Sequence, residues 1–525
     1  MSALILSLSS ILLRSISVIF NVFLSNTIGS EGMGLITLTS GVYSFALTFS
    51  TSGINFAVVR LVSSALPYNE GDMTSFKSDF LVSKIMGKAY FYCLFFSLLA
   101  TLFLFFGAKP ISIYLLNDIR VVPALKIMAL SLVPIALSSA INGYFYAVRR
   151  VYKNVIVSFC EQAIKISVIS FFLLLVFPSK TSFACLSIAL GGLISELSSL
   201  ILNIFLFVND RSKHKLAKKH TLIFCKIPSK SNESFETNVP SVFSSAFPVA
   251  VSAYARSFLN TVEHLLIPWG LKRNGMVGSD ALSSYGTLCG MVFPLIFFPS
   301  TVIGAFSSLL IPEISSSYEA GDFKRIKSIV SRVFGFSLIF SICISGVFVS
   351  FSNEIGIYFF NSYEAGVFIR LLAPLIPIMY LDSSVDAVLK GIGEHIYTMR
   401  INIIDSLLSV FLVLLLIPNM GIYGYIVTIY VTELFNATFS IMRLLNKTTF
   451  KPRIINWIVK PLFSIISATL VTRFIFYLLF SYSLSLGKLS LILEISMCVA
   501  LYILFSKISG SITEDETSLA KRIFT

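Results

Sequence analysis

The sequence predicts an all-α, polytopic membrane protein of about 14 transmembrane helices, arranged as two parallel six-helix lobes plus two C-terminal helices. Three observations predict it. Of 525 residues, 56% are hydrophobic and only 13% charged, about half the charged share of a soluble domain. Long apolar runs recur along the whole chain, and about 20 such residues cross the hydrocarbon layer as a helix. The chain also repeats itself at an offset near 250 residues.

In order, the expected spans are 4–28, 35–59, 85–108, 122–148, 155–177, 182–208, 241–268, 281–311, 333–352, 365–389, 401–418, 421–445, 454–480 and 484–506. The first run lacks a basic leading segment and a small-residue cleavage site, so it reads as a retained helix. With a cytoplasmic N-terminus, the inner loops and tail take 28 of the 40 Lys and Arg, and the outer loops take six. Short-loop Lys/Arg bias sets orientation, so both termini are expected on the cytoplasmic side of the cell membrane. The net charge of +14 is then topological, adds an attraction to anionic membrane lipids, and does not point to nucleic acid. The seven cysteines show no CxxC spacing and read as small buried hydrophobes.

The repeat rests on particular residues. Tyr68, Gly71, Asp72 and Lys77 match Tyr318, Gly321, Asp322 and Lys327 in one frame. At an offset of 244, Ala147, Ser158 and Glu161 face Gly391, Asn402 and Asp405. Six spans is an even number, so the halves are parallel and related by an axis along the membrane normal. The expected domains are an N-terminal lobe over 1–208, a cytoplasmic basic linker over 209–240, a C-terminal lobe over 241–445, and two further helices with a short tail over 446–525.

Catalytic signatures are absent. No GxxxxGK[ST], HExxH or GxSxG motif occurs, and four scattered histidines form no metal cluster, which argues against an enzyme or a nucleotide-driven pump and implies no cofactor. Ions within spans are costly and so informative. Lys126, Arg370 and Arg473 lie near span ends and can snorkel, and Lys165 lies one turn after Glu161, where an ion pair explains both. Arg14 and Arg256 remain. Arg14 is ten residues into the first span, about 15 Å deep, on a polar stripe with Ser7, Ser10, Ser17 and Asn21. Arg256 shares a face with Asn260, Glu263 and His264, 242 residues later. Each arginine has two readings, a structural ion pair or contact with an anionic ligand. Among the carboxylates, Glu196, Asp382, Asp386, Asp405, Glu433 and Glu494 lie in spans; Asp386, Asp405 and Glu263 are candidate coupling-ion or ion-pair sites.

Several segments together carry a family resemblance: Ile28-Gly-Ser-Glu-Gly-Met-Gly-Leu35, Gly143-Tyr-Phe-Tyr-Ala147 with Ser158-Phe-Cys-Glu161-Gln162, the stretch from Tyr285 to Pro299, Leu310-Ile-Pro-Glu-Ile314, Leu372-Ala-Pro374 and Leu389-Lys-Gly-Ile-Gly393. In order and spacing they resemble the polysaccharide-export (oligosaccharide flippase) branch of the multidrug/oligosaccharidyl-lipid/polysaccharide flippase superfamily, nearest in look to its sporulation and lipid II flippase groups. The resemblance implies a two-lobed flippase that moves an undecaprenyl-pyrophosphate-linked saccharide from the inner to the outer leaflet. It also implies glycosyltransferases or a polymerase of the same pathway as partners. It makes Arg14 a cavity cation and gives Arg60 an entry contact; the polar stripes and the repeat, read from the residues themselves, add Arg256, Ser17, Asn21 and Asn260 as candidate cavity residues. Asn21 stands where relatives carry a second cation. Two alternatives stay open: a cation-coupled multidrug exporter of the same superfamily, which commonly keeps an acid in the first helix, and a noncatalytic scaffold of envelope assembly.

Overall fold

A computed structural model describes residues 2–65, 75–176, 181–224, 242–448, 453–480 and 488–511. The stretch Ser2–Thr51 is helical except at Gly29, whose φ of 78° and ψ of 175° suit only a residue without Cβ. This splits it into α1 (2–28) and the start of α2, which continues past a turn at Gly53 to Ala65. There follow α3 (Ser75–Pro110), α4 (Val122–Ala147), α5 (Val151–Phe171), α6 (Thr181–Phe224) and α7 (Val242–Arg273). Next come α8 (278–319, in pieces), α9 (Phe323–Phe360), α10 (Tyr363–Gly391), α11 (His395–Met420) and α12 (Ile422–Thr448). The last two are α13 (455–480) and α14 (Lys488–Ile508). Among the described residues 12 stretches are long and apolar enough to cross a membrane. The first, Leu6–Ala65, contains both α1 and α2. The polar α7, which carries Arg256, Asn260, Glu263 and His264, is not among them.

The expected loop at 29–34 is therefore a one-residue break, and 30–34 are the first turns of α2. Likewise α6 runs on to Phe224, so the linker segment begins as helix; 225–241 lie outside the described residues. The chain forms two compact units whose boundaries fall inside helices: Ala3–Leu38 with the chain from Val262 on, and Thr39–Thr261. In the second unit a core of Ile54, Val58, Ile85, Ala89, Phe145 and Ala246 joins α2, α3, α4 and the start of α7. In the first, the opening of α2 packs on α8 at backbone contact. A Cβ on Gly34 would lie 2.0 Å from the Leu282 carbonyl oxygen, and one on Gly286 2.1 Å from that of Ser30. Beside this crossing Ser30 and Ser283 share a hydrogen bond of 2.6 Å.

The turns repeat at an offset of 244. Asn117 (φ 52°) and Asn361 (φ 50°) are both left-handed, and the next residue donates six positions back, Asp118 to Ser112 and Ser362 to Gly356. At the opposite ends of these helices, Arg149 (φ 58°) and Gly393 (φ 84°) correspond. Arg150 donates to the Phe145 carbonyl as Glu394 does to that of Leu389. The other copy noted in the sequence is half visible: Asp322 caps α9 by accepting from the Arg325 amide at 3.0 Å, whereas 66–74 lie outside the described residues.

Candidate substrate-binding site

Helix α1 is thinly packed on two faces. Leu8, Leu12, Ile16 and Ile19 are exposed in one stripe, and at 100° per residue the Ser7, Ser10, Arg14, Ser17 and Asn21 stripe lies about 180° away. A membrane helix can turn an apolar face to lipid, but a polar face needs water or protein. Ser10 and Arg14 are exposed, Ser17 and Asn21 half-buried. The serines spend their hydroxyls on their own helix: Ser10 donates to Ser7 at 2.8 Å and Ser17 to Leu13 at 2.9 Å. Ser7 reaches the Ala305 carbonyl of α8 at 3.5 Å. Arg14 has no hydrogen bond or ion pair with any described residue. Among the described residues no buried carboxylate pairs with it.

The remaining candidate cations belong to the other unit. Arg60 at the end of α2 and Arg256 on α7 are both exposed, as is Asn260, and neither arginine forms an ion pair among the described residues. Glu263 does not neutralise Arg256. It accepts from the Tyr425 hydroxyl at 3.2 Å, and the neighbouring His264 bonds Tyr285 through Nδ1 at 3.0 Å.

Asp386 and Asp405 fall on a polar seam between α10, α11 and α12. Asp386 accepts from Asn402 and Ser440 at 3.4 Å each and lies 3.9 Å from Lys390 one turn on. Asn402 in turn accepts from Asn436 at 3.2 Å. Asp382 is buried, acted on electrostatically by both Asp386 and Asp405, and its Oδ1 has no partner among the described residues; nor has Oδ1 of Asn436. Sequence reading passed over Asn436 and Ser440. Their signal was present as Thr428, Thr432, Asn436 and Ser440, a polar residue every fourth position of α12.

The other four cations of the spans each have a neighbour. Arg473 donates to the Ser350 carbonyl at 2.7 Å and to Glu354 at 2.5 Å, with Glu494 at 3.8 Å and the Phe351 ring beneath it. Arg370 bonds Ser352 at 3.1 Å, and Lys126 lies over Phe105. Lys165 acts on Glu161 only at a distance, because Glu161 takes its hydrogen bond from Ser199 across to α6. Of the described cysteines, Cys160 is exposed and the rest are buried.

About 12 to 14 long apolar helices define the class: an all-α polytopic membrane protein with the two-lobed fold of flippases and multidrug exporters. The chain belongs to the polysaccharide biosynthesis protein family, whose model matches residues 1–318; the MatE model matches 274–415. It is similar to stage V sporulation protein B of Bacillus subtilis (strain 168), 25% identical over 426 residues, covering 80% of this chain and 78% of that protein. Similarity to the lipid II flippase MurJ of the same organism is 23% over 441 residues, 80% of this chain and 78% of that one. Among solved structures, an inward closed conformation of lipid II flippase MurJ superposes with a TM-score of 0.67 at 13% identity, covering 96% and 98% of the two chains. An inward-facing multidrug resistance MATE family transporter gives 0.61 at 11%, covering 83% and 96%.

Proposed function

We propose that this protein is a flippase that carries an undecaprenyl-pyrophosphate-linked saccharide from the inner to the outer leaflet by alternating access of two lobes, 1–208 and 241–445. The observation that carries the reading is Arg14: a cation at membrane depth, on a polar face, with no carboxylate to answer it among the described residues. A guanidinium binds a phosphate through paired charge-assisted hydrogen bonds. The lipid tail stays in the bilayer while the saccharide occupies the wet side of α1, with Arg60, Arg256, Ser17, Asn21 and Asn260 as further contacts. The similarity to a lipid II flippase agrees with such a cargo. An inside-negative potential favours outward movement of anions by roughly 2.3 kcal/mol per charge per 100 mV. Glu263, Asp386 and Asp405 are the proposed places where a proton or ion exchange would couple.

The test is Arg14 itself. With no partner to strand, Arg14→Ala should change thermal stability in detergent by no more than about 0.5 kcal/mol while abolishing flipping of lipid-linked saccharide in liposomes. Arg14→Lys should keep part of the activity, since a point charge does not reproduce the fork. A stable Arg14→Ala protein that still flips the lipid would sink the reading. The MatE match favours one rival, an exporter of cationic drugs, and that rival expects Arg14→Ala to leave drug export intact.

Both termini are placed in the cytoplasm on the charge bias. In a cysteine-free protein in intact cells, Ser279→Cys should react with a membrane-impermeant thiol reagent and Glu319→Cys should not. The reverse pattern inverts the topology.

A further inference from the structure

Helix α8 is broken near its middle. It is helical over Gly278–Tyr285, π-helical over Gly286–Val292, helical again over Phe293–Phe297, and restarts as Ser300–Glu319. Pro299 has no amide hydrogen for Leu295, so the ladder fails there, and the carbonyls around it need other donors. Each finds one. Leu295 accepts from the Phe298 amide at 3.3 Å, Phe297 from the Ser300 hydroxyl at 2.7 Å, and Phe298 from the Thr301 hydroxyl at 2.7 Å. The Ile296 carbonyl, whose helical donor would be the Ser300 amide, accepts instead from the hydroxyl of Tyr380 on α10. One buried phenol from another helix therefore takes the place of the Ser300 amide at the open rung, donating to the Ile296 carbonyl. A group inserted into the i to i−4 ladder is one of the few things that bend a helix.

The break has a position that matters. Ser7 of α1 meets Ala305, and Ser30, just past the end of α1, meets Ser283, so α1 runs antiparallel to α8, and seven residues up α1 from Ser7 bring Arg14 to about the level of Phe298. Tyr380 is itself fixed: it is 1% exposed, its carbonyl accepts from Ser384, and Ser384 bonds Ser337 of α9. Asp382 and Asp386 lie further along the same helix.

We infer that Tyr380 is a positioning residue for transport: its hydroxyl, bonded to the Ile296 carbonyl in place of the Ser300 amide, holds α8 bent at that open rung and transmits displacement of the carboxylate-bearing α10 to it. The transport half of this rests on the flippase reading; the bend does not.

The experiment is a two-by-two set in the full-length, cysteine-free protein in lipid, with spin labels at Ser279→Cys and Glu319→Cys reporting the end-to-end distance of α8. Tyr380→Phe should lengthen and broaden that distance as Ile296 and Ser300 close directly. Pro299→Ala should leave it near the parent value, because the phenol still fills the rung, and the double variant should lengthen it most. Lipid-linked saccharide flipping should fall at least tenfold in Tyr380→Phe, with binding of the same lipid changed less than twofold. An unchanged distance in the double variant, or wild-type flipping by Tyr380→Phe, overturns the proposal. Should Tyr380→Phe fail to fold, Pro299→Ala decides alone: a straightened α8 with Tyr380 present means the proline makes the bend and the phenol is passive. The distance measurement needs no substrate, so a protein that flips no lipid leaves the wedge testable.

Discussion

Arg14 and Arg473 are both arginines within apolar helices, and what surrounds them separates their roles. Arg473 is enclosed by a carbonyl freed at the non-helical Phe351 of α9, by the Phe351 ring, and by Glu354 and Glu494. It ties α13 and α14 to α9. Depth could be read from the sequence, and it picked out Arg14. The partners of Arg473 could not, because Glu354 lies 119 residues away and a kink leaves no mark in composition. The same contrast sharpens the Arg14 test. Arg473→Ala should destabilise the detergent-purified protein by about 1–2 kcal/mol, the cost of a broken pair discounted because Arg473 is 41% exposed. If Arg14→Ala were to cost as much, Arg14 would be a structural residue too.

At the scale of elements, the two repeats fasten their helices by the same geometry with the charges exchanged. On the turn between α4 and α5, Arg150 and Lys153 grip the buried Asp210 of α6, which also accepts from Tyr144 at 3.2 Å. On the equivalent turn between α10 and α11, Glu394 stands where Arg150 does and is held by Arg443 and Lys447 of α12, both at 2.8 Å. Ala147 and Gly391 made the turn legible in sequence. The clasp was not legible, because pattern matching looks for identity and here the sign is inverted. Asp210→Asn strands two cations against a site that is 3% exposed and should cost about 3–5 kcal/mol; Glu394→Gln, among half-exposed partners, should cost clearly less. Lys447 and Arg443 hold the Glu394 carboxyl below its ordinary range. Its contribution is then fully present above the unfolded value of about 4.3 and is lost as pH falls through the lower folded value. The melting difference between wild type and Glu394→Gln should be constant from neutral pH down to about 5 and shrink in more acid buffer. A difference that grew on acidification would contradict the assignment.

For the whole molecule, hydropathy gave the spans and the repeat gave their grouping, since both depend on what side chains present to lipid and on turn chemistry. What they did not give is where helices touch without side chains. The segment 29–34 reads as a polar, glycine-rich loop, yet Gly34 and Gly286 remove the Cβ atoms that would keep α2 and α8 apart, and backbone contact turns the loop into helix. That crossing lies at the end of α8 proposed to face outward, away from the break at Pro299. If alternating access opens the protein to the outside, α2 and α8 must part there. Ser30 and Ser283 oxygens are 2.6 Å apart, close enough that cysteines at both positions should form a disulfide, whose S–S bond is about 2.05 Å. In a cysteine-free background, Ser30→Cys with Ser283→Cys should cross-link under mild oxidation, stop lipid flipping in liposomes, and regain it on reduction, while each single cysteine stays active. Cross-linked protein that keeps flipping at the reduced rate would mean that the crossing is a permanent joint and that the gate lies elsewhere.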